Sequence, residues 1–89
     1  MTIKIEVDSR CYRKLKKIKK KNKSLFFKIN QNLEALKIDP ENPKLKLHKI
    51  SGKKEEVWSI SIEKNFRVLF KYINKGILLT DLGSHDEVY

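Results

Sequence analysis

The stretch FRVLFKYINKGILLTDL at residues 66–82 predicts a β-hairpin, and the rest of the fold can be placed around it. Every second residue from Phe66 to Tyr72 is apolar or aromatic, which is the period of a strand with one buried face. Residues 74–76, NKG, have the composition of a hairpin turn. Residues 77–82 are largely apolar, as expected of a returning strand that is covered on both faces.

Two further strands are predicted immediately upstream of the hairpin. In VWSISI at 57–62, successive side chains should point to opposite faces of the sheet. One face then carries Val57, Ser59 and Ser61, and the other carries Trp58, Ile60 and Ile62. Leu45 and Leu47 predict a short strand over residues 45–49, and the charged residues 51–56 predict a turn.

The N-terminal part of the chain predicts one strand followed by two helices. IKIEV at 3–7 alternates apolar and charged residues, and either Asp8 or Ser9 can cap the helix that follows. The apolar stripe of that helix is Cys11, Leu15 and Ile18. Asn22 and Ser24 offer turn and cap chemistry before a second helix, which ends at a loop with two prolines. The apolar face of the second helix is Phe26, Ile29, Leu33 and Leu36.

These elements together predict an α+β fold in the order β-α-α-β-β-β(-β), with an N-terminal helical hairpin packed on a mainly antiparallel sheet. At 89 residues the chain has room for one hydrophobic core, and we expect residues 1–89 to form a single domain. Cys11 has no second cysteine with which to form a disulfide, and we expect it in that core.

The chain is strongly basic, with 21 lysines and arginines against 11 acidic residues and a formal charge of +10. A field of this sign attracts polyanions, so nucleic acid is the expected partner, although lysines also serve to solubilise a protein surface. No segment approaches the roughly 20 apolar residues of a membrane span, and the N-terminus lacks the apolar stretch of a signal peptide. We therefore expect a cytoplasmic protein without a membrane partner.

Four segments in order resemble the RelE/ParE superfamily of type II toxin–antitoxin modules: LHKISG at 47–52, VWSISI at 57–62, FRVLFKY at 66–72 and LLTDLGSHDEVY at 78–89. The resemblance extends over nearly the whole chain. It is closer to the RelE, YoeB and YafQ messenger-RNA interferases than to ParE, because a histidine and a terminal tyrosine follow the last strand. It implies a RelE-like toxin fold and a cognate antitoxin partner.

The resemblance also implies a catalytic site on a concave sheet face beside the C-terminus, formed by Arg67, His85, Tyr89 and His48. A guanidinium binds two phosphate oxygens at once, so Arg67 would stabilise the transition state, unless it serves only a surface ion pair. Histidine titrates near neutrality, so His85 would act as general acid and His48 as general base. Tyr89 would stack on a base or place its hydroxyl near the phosphate, unless it only packs the terminus.

Lysines would hold the RNA backbone, in two groups. If Leu45 and Leu47 face the core from a strand, Lys44, Lys46 and His48 share the other face of that strand. The first helix would meet ribosomal RNA through Lys16, Lys19 and Lys20. Glu63, just after a strand, is a competing proton acceptor, unless it is only a solvated loop carboxylate. This sequence also has no glutamate just before LHK, where some YoeB-like toxins carry one.

The implied function is a metal-independent endoribonuclease that cuts mRNA in the ribosomal A site by attack of the 2′-hydroxyl on the next phosphorus. We expect no cofactor and no metal, since Asp81, Asp86 and Glu87 have no convincing ligand pattern. Two alternatives stay open: a ParE-like inhibitor of DNA gyrase, and a non-catalytic family member that only binds antitoxin or RNA.

Overall fold

The computed structural model describes residues 3–50 and 56–88, which form an α+β fold with a five-stranded sheet. The strands are β1 (Lys4–Val7), β2 (His48–Ile50), β3 (Val57–Glu63), β4 (Phe66–Ile73) and β5 (Gly76–Ser84). The helices are α1 (Ser9–Lys21), α2 (Lys23–Ile38) and α3 (His85–Val88), with a 3₁₀ helix at Pro43–Leu45. The sheet order is β1-β5-β4-β3-β2, in which only β1 and β5 run parallel. The predicted helical hairpin on a mainly antiparallel sheet is confirmed.

Side-chain caps set the ends of the helical hairpin. Asp8 caps α1, because its Oδ1 accepts a hydrogen bond of 2.9 Å from the backbone N–H of Cys11. Asn22 ends α1 and begins α2: its N–H donates to Ile18 O at 2.8 Å, and its side chain accepts from the N–H of Leu25 at 3.1 Å. Each such N-cap contributes about 1 kcal/mol to stability. Of the two predicted candidates at each site, the structure selects Asp8 and Asn22.

The main core lies between the helices and one face of the sheet. Its buried residues are Cys11, Leu36, Leu45, Ile60, Val68, Phe70, Ile77, Leu79 and Leu82. Burial raises the pKa of the Cys11 thiol to about 12, with the nearby Asp8 and Asp81 carboxylates acting in the same direction. The predicted alternation of β3 is confirmed, since Ile60 belongs to this core and Val57 belongs to a second, smaller cluster on the opposite face.

The predicted hairpin is present as β4 and β5, joined by the two residues Asn74 and Lys75. Lys75 adopts a left-handed backbone, with φ 68°. Gly76 allows β1 to pair with β5, because a Cβ at this position would collide with the carbonyl oxygen of Lys4.

The strand predicted over residues 45–49 is wrong at its beginning. Pro43–Leu45 form a 3₁₀ helix and β2 starts only at His48. Lys46 lies between them with a left-handed φ of 50°, which breaks the alternation of side chains. Lys44, Lys46 and His48 therefore do not share one strand face as predicted. Of the predicted turn at 51–56, residues 51–55 lie outside the described residues.

The described chain ends in the last residues of β5 and a short helix. Gly83 and Ser84 complete β5, and His85–Val88 form α3, while Tyr89 lies outside the described residues. Ser84 and Glu87 cap this helix. No helix in the described part of the chain is long and apolar enough to cross a bilayer.

Candidate active site on the distal face of the sheet

The face of the sheet turned away from α1 and α2, here called the distal face, brings together residues from three adjacent strands. His48 on β2 pairs with Ser59 on β3, and Ser59 pairs with Leu69 on β4. Arg67 pairs with Ser61, two residues further along the same strands. Because directly paired residues share a face, His48 and Arg67 both lie on the distal face. From the strand and residue spacings, their Cα atoms are about 12 Å apart.

The guanidinium of Arg67 is anchored at the turn between β3 and β4. Its Nη1 donates hydrogen bonds of 3.0 Å to Ser61 Oγ and to the carbonyl oxygen of Glu63, and longer bonds of 3.4 Å to the carbonyls of Lys64 and Phe66. These four partners of Arg67, all within residues 3–50 and 56–88, are neutral oxygens and not carboxylates. The positive charge is thus held in a fixed position and is left available to an anion, which disfavours the ion-pair alternative for Arg67.

The ring of His48 is oriented by the backbone just before it. Nδ1 lies 3.2 Å from the carbonyl oxygen of Lys46. A carbonyl oxygen can only accept, so in this hydrogen bond Nδ1 carries the proton. In the neutral ring Nε2 is then the basic nitrogen, which is the arrangement that a general base requires.

Helix α3 packs on the distal face and begins beside Arg67. Val88 packs with Val57 and Leu69 in the small apolar cluster of this face. Gly83, which pairs with Arg67, lies close under the helix: a Cβ there would stand 3.2 Å from Glu87 Oε1. The structure therefore brings the backbone of His85, two residues after Gly83, to the site, whereas its side chain and all of Tyr89 lie outside the described residues.

A capping box holds the start of α3. The N–H of Ser84 donates to Glu87 Oε1 at 2.9 Å, and the N–H of Glu87 donates to Ser84 Oγ at 3.3 Å. The hydrogen bond from the backbone N–H of Ser84, followed by one from the Ser84 side chain, lowers the pKa of the Glu87 carboxyl. The S-x-x-E pattern at 84–87 is the sequence signal that would have revealed this helix.

The lysines assigned to RNA occupy two other surfaces. Lys44 and Lys46 line a groove between α2 and the end of β3, next to Ser61. Lys16, Lys19 and Lys20 are exposed on α1, in the helical layer on the opposite side of the sheet from Arg67. The structure therefore does not place the α1 lysines at the candidate active site.

Two contacts near this site were missed by the sequence analysis because each joins residues about thirty positions apart. Glu63, the competing proton acceptor, forms an ion pair with Lys28 of α2 at 2.9 Å. Asn32 Nδ2 donates to the carbonyl oxygen of Ser61 at 3.0 Å and lies 3.5 Å from that of Ile62. Both contacts fix α2 against the end of β3 that anchors Arg67.

Comparison with known proteins finds one matching family model and solved structures that share the fold. The family model for HigB-like toxins, described as the RelE-like toxin of the type II toxin–antitoxin system HigB, matches residues 4–85. A chain of the Escherichia coli DinJ–YafQ toxin–antitoxin complex aligns with a TM-score of 0.80 at 16% identity. The alignment covers 100% of this chain and 99% of that one. No match was found among curated protein sequences.

Two further solved structures have the same fold. In the YoeB dimer from Staphylococcus aureus, a chain aligns with a TM-score of 0.75 at 18% identity, covering 96% of this chain and 99% of that one. In the archaeal RelE–RelB complex from Pyrococcus horikoshii OT3, a chain aligns with a TM-score of 0.74 at 16% identity, covering 94% of this chain and 96% of that one. The resemblance to this superfamily that we inferred from the sequence is confirmed.

Proposed function

Because this chain belongs to the HigB-like family of RelE-like toxins of type II toxin–antitoxin systems, we propose that it is an endoribonuclease that cuts mRNA in the ribosomal A site. The reaction is metal-independent, because the RNA provides its own nucleophile, the 2′-hydroxyl. A cognate antitoxin neutralises the toxin. The site of its action is the cytoplasm, where translating ribosomes are found.

The observation that carries this proposal is the placing of an anchored guanidinium and an oriented histidine on one sheet face. The Cα atoms of Arg67 and His48 are about 12 Å apart from the strand and residue spacings, and both residues lie on the distal face. The backbone of His85 starts α3 beside the same arginine. Transesterification of RNA needs three kinds of group, a proton acceptor, a proton donor and a fixed cation.

In the proposed reaction, Nε2 of His48 takes the proton of the 2′-hydroxyl, and this oxygen attacks the adjacent phosphorus. Arg67 stabilises the negative charge that develops on the phosphorane oxygens. His85 donates a proton to the departing 5′-oxygen, so the bond from phosphorus to that oxygen breaks. The products are a 2′,3′-cyclic phosphate and a 5′-hydroxyl, and Tyr89 stacks on a base beside the cleaved bond.

The proposed partners follow from the charge and from the structural relatives. Lys16, Lys19 and Lys20 bind ribosomal RNA, while Lys44 and Lys46 bind the message backbone. The DinJ–YafQ structure is a toxin–antitoxin complex, and a formal charge of +10 favours an acidic antitoxin segment here.

The test is translation of a defined message in vitro with purified wild type, His85→Ala and His48→Gln, followed by mapping of cuts by primer extension. Parallel reactions omit ribosomes, and EDTA is added only to those. Circular dichroism confirms that each variant is folded. We expect ribosome-dependent cuts from wild type that are reduced about 100-fold or more in each variant, the scale of lost general acid–base catalysis.

Folded wild-type protein that makes no cut in either reaction would contradict the nuclease proposal. A DNA supercoiling assay with gyrase would then test the ParE-like alternative. Cuts that EDTA abolishes in the ribosome-free reaction would contradict metal independence.

A further inference from the structure

A second basic surface begins at the candidate active site and runs toward α2. It is a groove of about 480 Å³, here called the lysine groove, lined by Lys28, Gln31, Asn32, Lys44, Lys46, Ser61, Ile62, Glu63 and Lys64. Its volume lies in the range of small-ligand sites. Ser61 and Glu63 line it and also accept hydrogen bonds from Arg67, so the groove meets the distal face at this guanidinium.

The lysine groove carries more positive charge than its own carboxylate neutralises. Of its four lysines, Lys28 is paired with Glu63 at 2.9 Å. In the part of the chain that the structure describes, Lys44, Lys46 and Lys64 form no ion pair. Four lysines and one glutamate leave a formal charge of +3 next to Arg67. Such a groove favours a polyanion whose charges repeat along its length.

The lysine groove continues into a second groove of about 470 Å³ that carries an exposed aromatic ring. The two grooves share Gln31, Asn32 and Lys44. Phe27 lines the second groove and is 62% exposed, although a phenylalanine on a soluble protein is usually buried. The charged residues that line this second groove are Lys44 and Glu34, and Glu34 is paired with Lys37 at 3.1 Å, so the ring and the neighbouring amides distinguish the groove.

We infer that single-stranded RNA next to the cleaved bond lies along these two grooves, with its phosphates in the lysine groove and an unpaired base on the ring of Phe27. The inference deepens the proposed function and rests on it. A basic groove followed by an aromatic ring is the combination by which proteins hold unpaired strands. The side-chain amides of Asn30, Gln31 and Asn42 lie beside the ring, where they can bond base edges.

An acidic protein segment is the competing occupant, and the observations favour RNA. The charge excess belongs to the lysine groove, one end of which meets Arg67, where the proposed reaction places a phosphate. The exposed ring and amides follow at the other end, in the order phosphate and then base. A peptide would require no such order.

The test measures binding of RNA analogues that carry a 2′-deoxy nucleotide at the cleaved position and so cannot react. A short analogue spans the cleaved bond, and longer ones extend it by three nucleotides on one side or the other. Fluorescence anisotropy gives the affinity and its salt dependence for wild type, for Phe27→Leu, and for a double variant with Lys44→Gln and Lys64→Gln. Phe27→Tyr retains a ring, and a Lys4→Gln, Lys75→Gln double variant removes equal charge far from the grooves.

We expect one of the extensions to tighten binding by wild type. Phe27→Leu should lose about tenfold in affinity for that longer analogue and little for the short one, whereas Phe27→Tyr should retain the affinity. The double variant with Lys44→Gln and Lys64→Gln should reduce the slope of log affinity against log salt concentration by about 1.4, because each phosphate contact contributes roughly 0.7. The control variant with Lys4→Gln and Lys75→Gln should reduce this slope less.

Wild-type binding that is indifferent to extension on both sides overturns this inference, as does Phe27→Leu binding equal to that of wild type. Weakened binding of an acidic antitoxin segment with unchanged RNA binding also overturns it and assigns the grooves to a protein. Mapping of cuts on ribosomes, done with the same proteins, distinguishes the two levels. Wild-type protein that does not cut contradicts the proposed function. Wild-type protein that cuts, but binds the short and the extended analogues equally well, contradicts only the inference that RNA lies along the grooves.

Discussion

The helical layer and the distal face of the sheet both carry basic residues, but they hold them differently. On α1, Lys16 and Lys19 are exposed, and their contacts are with the rings of Tyr12 and Phe26 at 5.6 and 5.8 Å. On the distal face, Arg67 is fixed by oxygen atoms at 3.0 Å. Flexible charges suffice to bind a polyanion surface, whereas chemistry at one phosphate needs a charge in a fixed place.

The two regions also differ in how much of the core they contain. The helical side buries Phe70, Leu79 and their neighbours in the main core. The distal face contains a small cluster of Val57, Leu69 and Val88. Changes to the side chains of Arg67 and His48 on the distal face should therefore affect activity more than stability.

The largest expected effect is that of Arg67→Ala, which removes the fixed charge of the distal face. We expect cleavage on ribosomes to fall by about 100- to 1,000-fold, the scale seen when a stabiliser of transition-state charge is lost. Single-turnover assays measure the rate, and thermal unfolding checks the fold. Arg67→Lys keeps the charge without the planar fork, and we expect it to recover only part of the rate. Full activity of folded Arg67→Ala would remove this residue from the mechanism.

A smaller effect is expected from Gly83→Ala, which tests whether α3 must be seated on the distal face. The new Cβ would stand 3.2 Å from Glu87 Oε1, and φ is +157°, where residues other than glycine are strained. We expect a loss of about 1–3 kcal/mol in unfolding free energy and about a tenfold lower cleavage rate, because displaced α3 moves His85. Gly76→Ala, at the β1 edge, should lower stability while leaving the rate per folded molecule unchanged. Equal cleavage rates per folded molecule for Gly83→Ala and Gly76→Ala would show that cleavage does not depend on the position of α3.

The smallest effect is the pH dependence contributed by Glu87. Its pKa is lowered in the folded protein, so its contribution to stability is complete above the ordinary carboxylate range and is lost as pH falls through the folded value. We expect the difference in melting temperature between wild type and Glu87→Gln to shrink as the solution is acidified below that range. A difference that is constant with pH would show that the capping box does not depend on the ionised carboxylate.

Local sequence signals predicted the elements of the fold well. The hairpin of β4 and β5, the cap at Asp8 and the buried Cys11 all followed from residues within a few positions of one another. The failure at residues 45–49 was also local, because a proline and a left-handed Lys46 overrode the alternation of two leucines.

The candidate site was less accessible to sequence reasoning, because its geometry depends on strand register and on distant contacts. The resemblance identified Arg67 and His48, but only the pairing of β2, β3 and β4 places them on one face. The ion pair between Lys28 and Glu63 joins residues 35 positions apart, which no periodic pattern relates. The bonds that anchor Arg67 are local, but they depend on the shape of the turn between β3 and β4. The catalytic roles of Arg67, His48, His85 and Tyr89 are predictions from the resemblance.

The central claim is that the distal face performs the reaction and the α1 lysines only bind, and a single-turnover cleavage assay over a range of toxin concentrations tests it most directly. The proteins are wild type, His48→Gln, and a triple variant with glutamine at Lys16, Lys19 and Lys20. We predict that His48→Gln lowers the maximal rate at saturating toxin, whereas the triple variant reaches the wild-type rate but requires more toxin. A triple variant with a reduced maximal rate, or His48→Gln with a normal one, would contradict the division between the two regions.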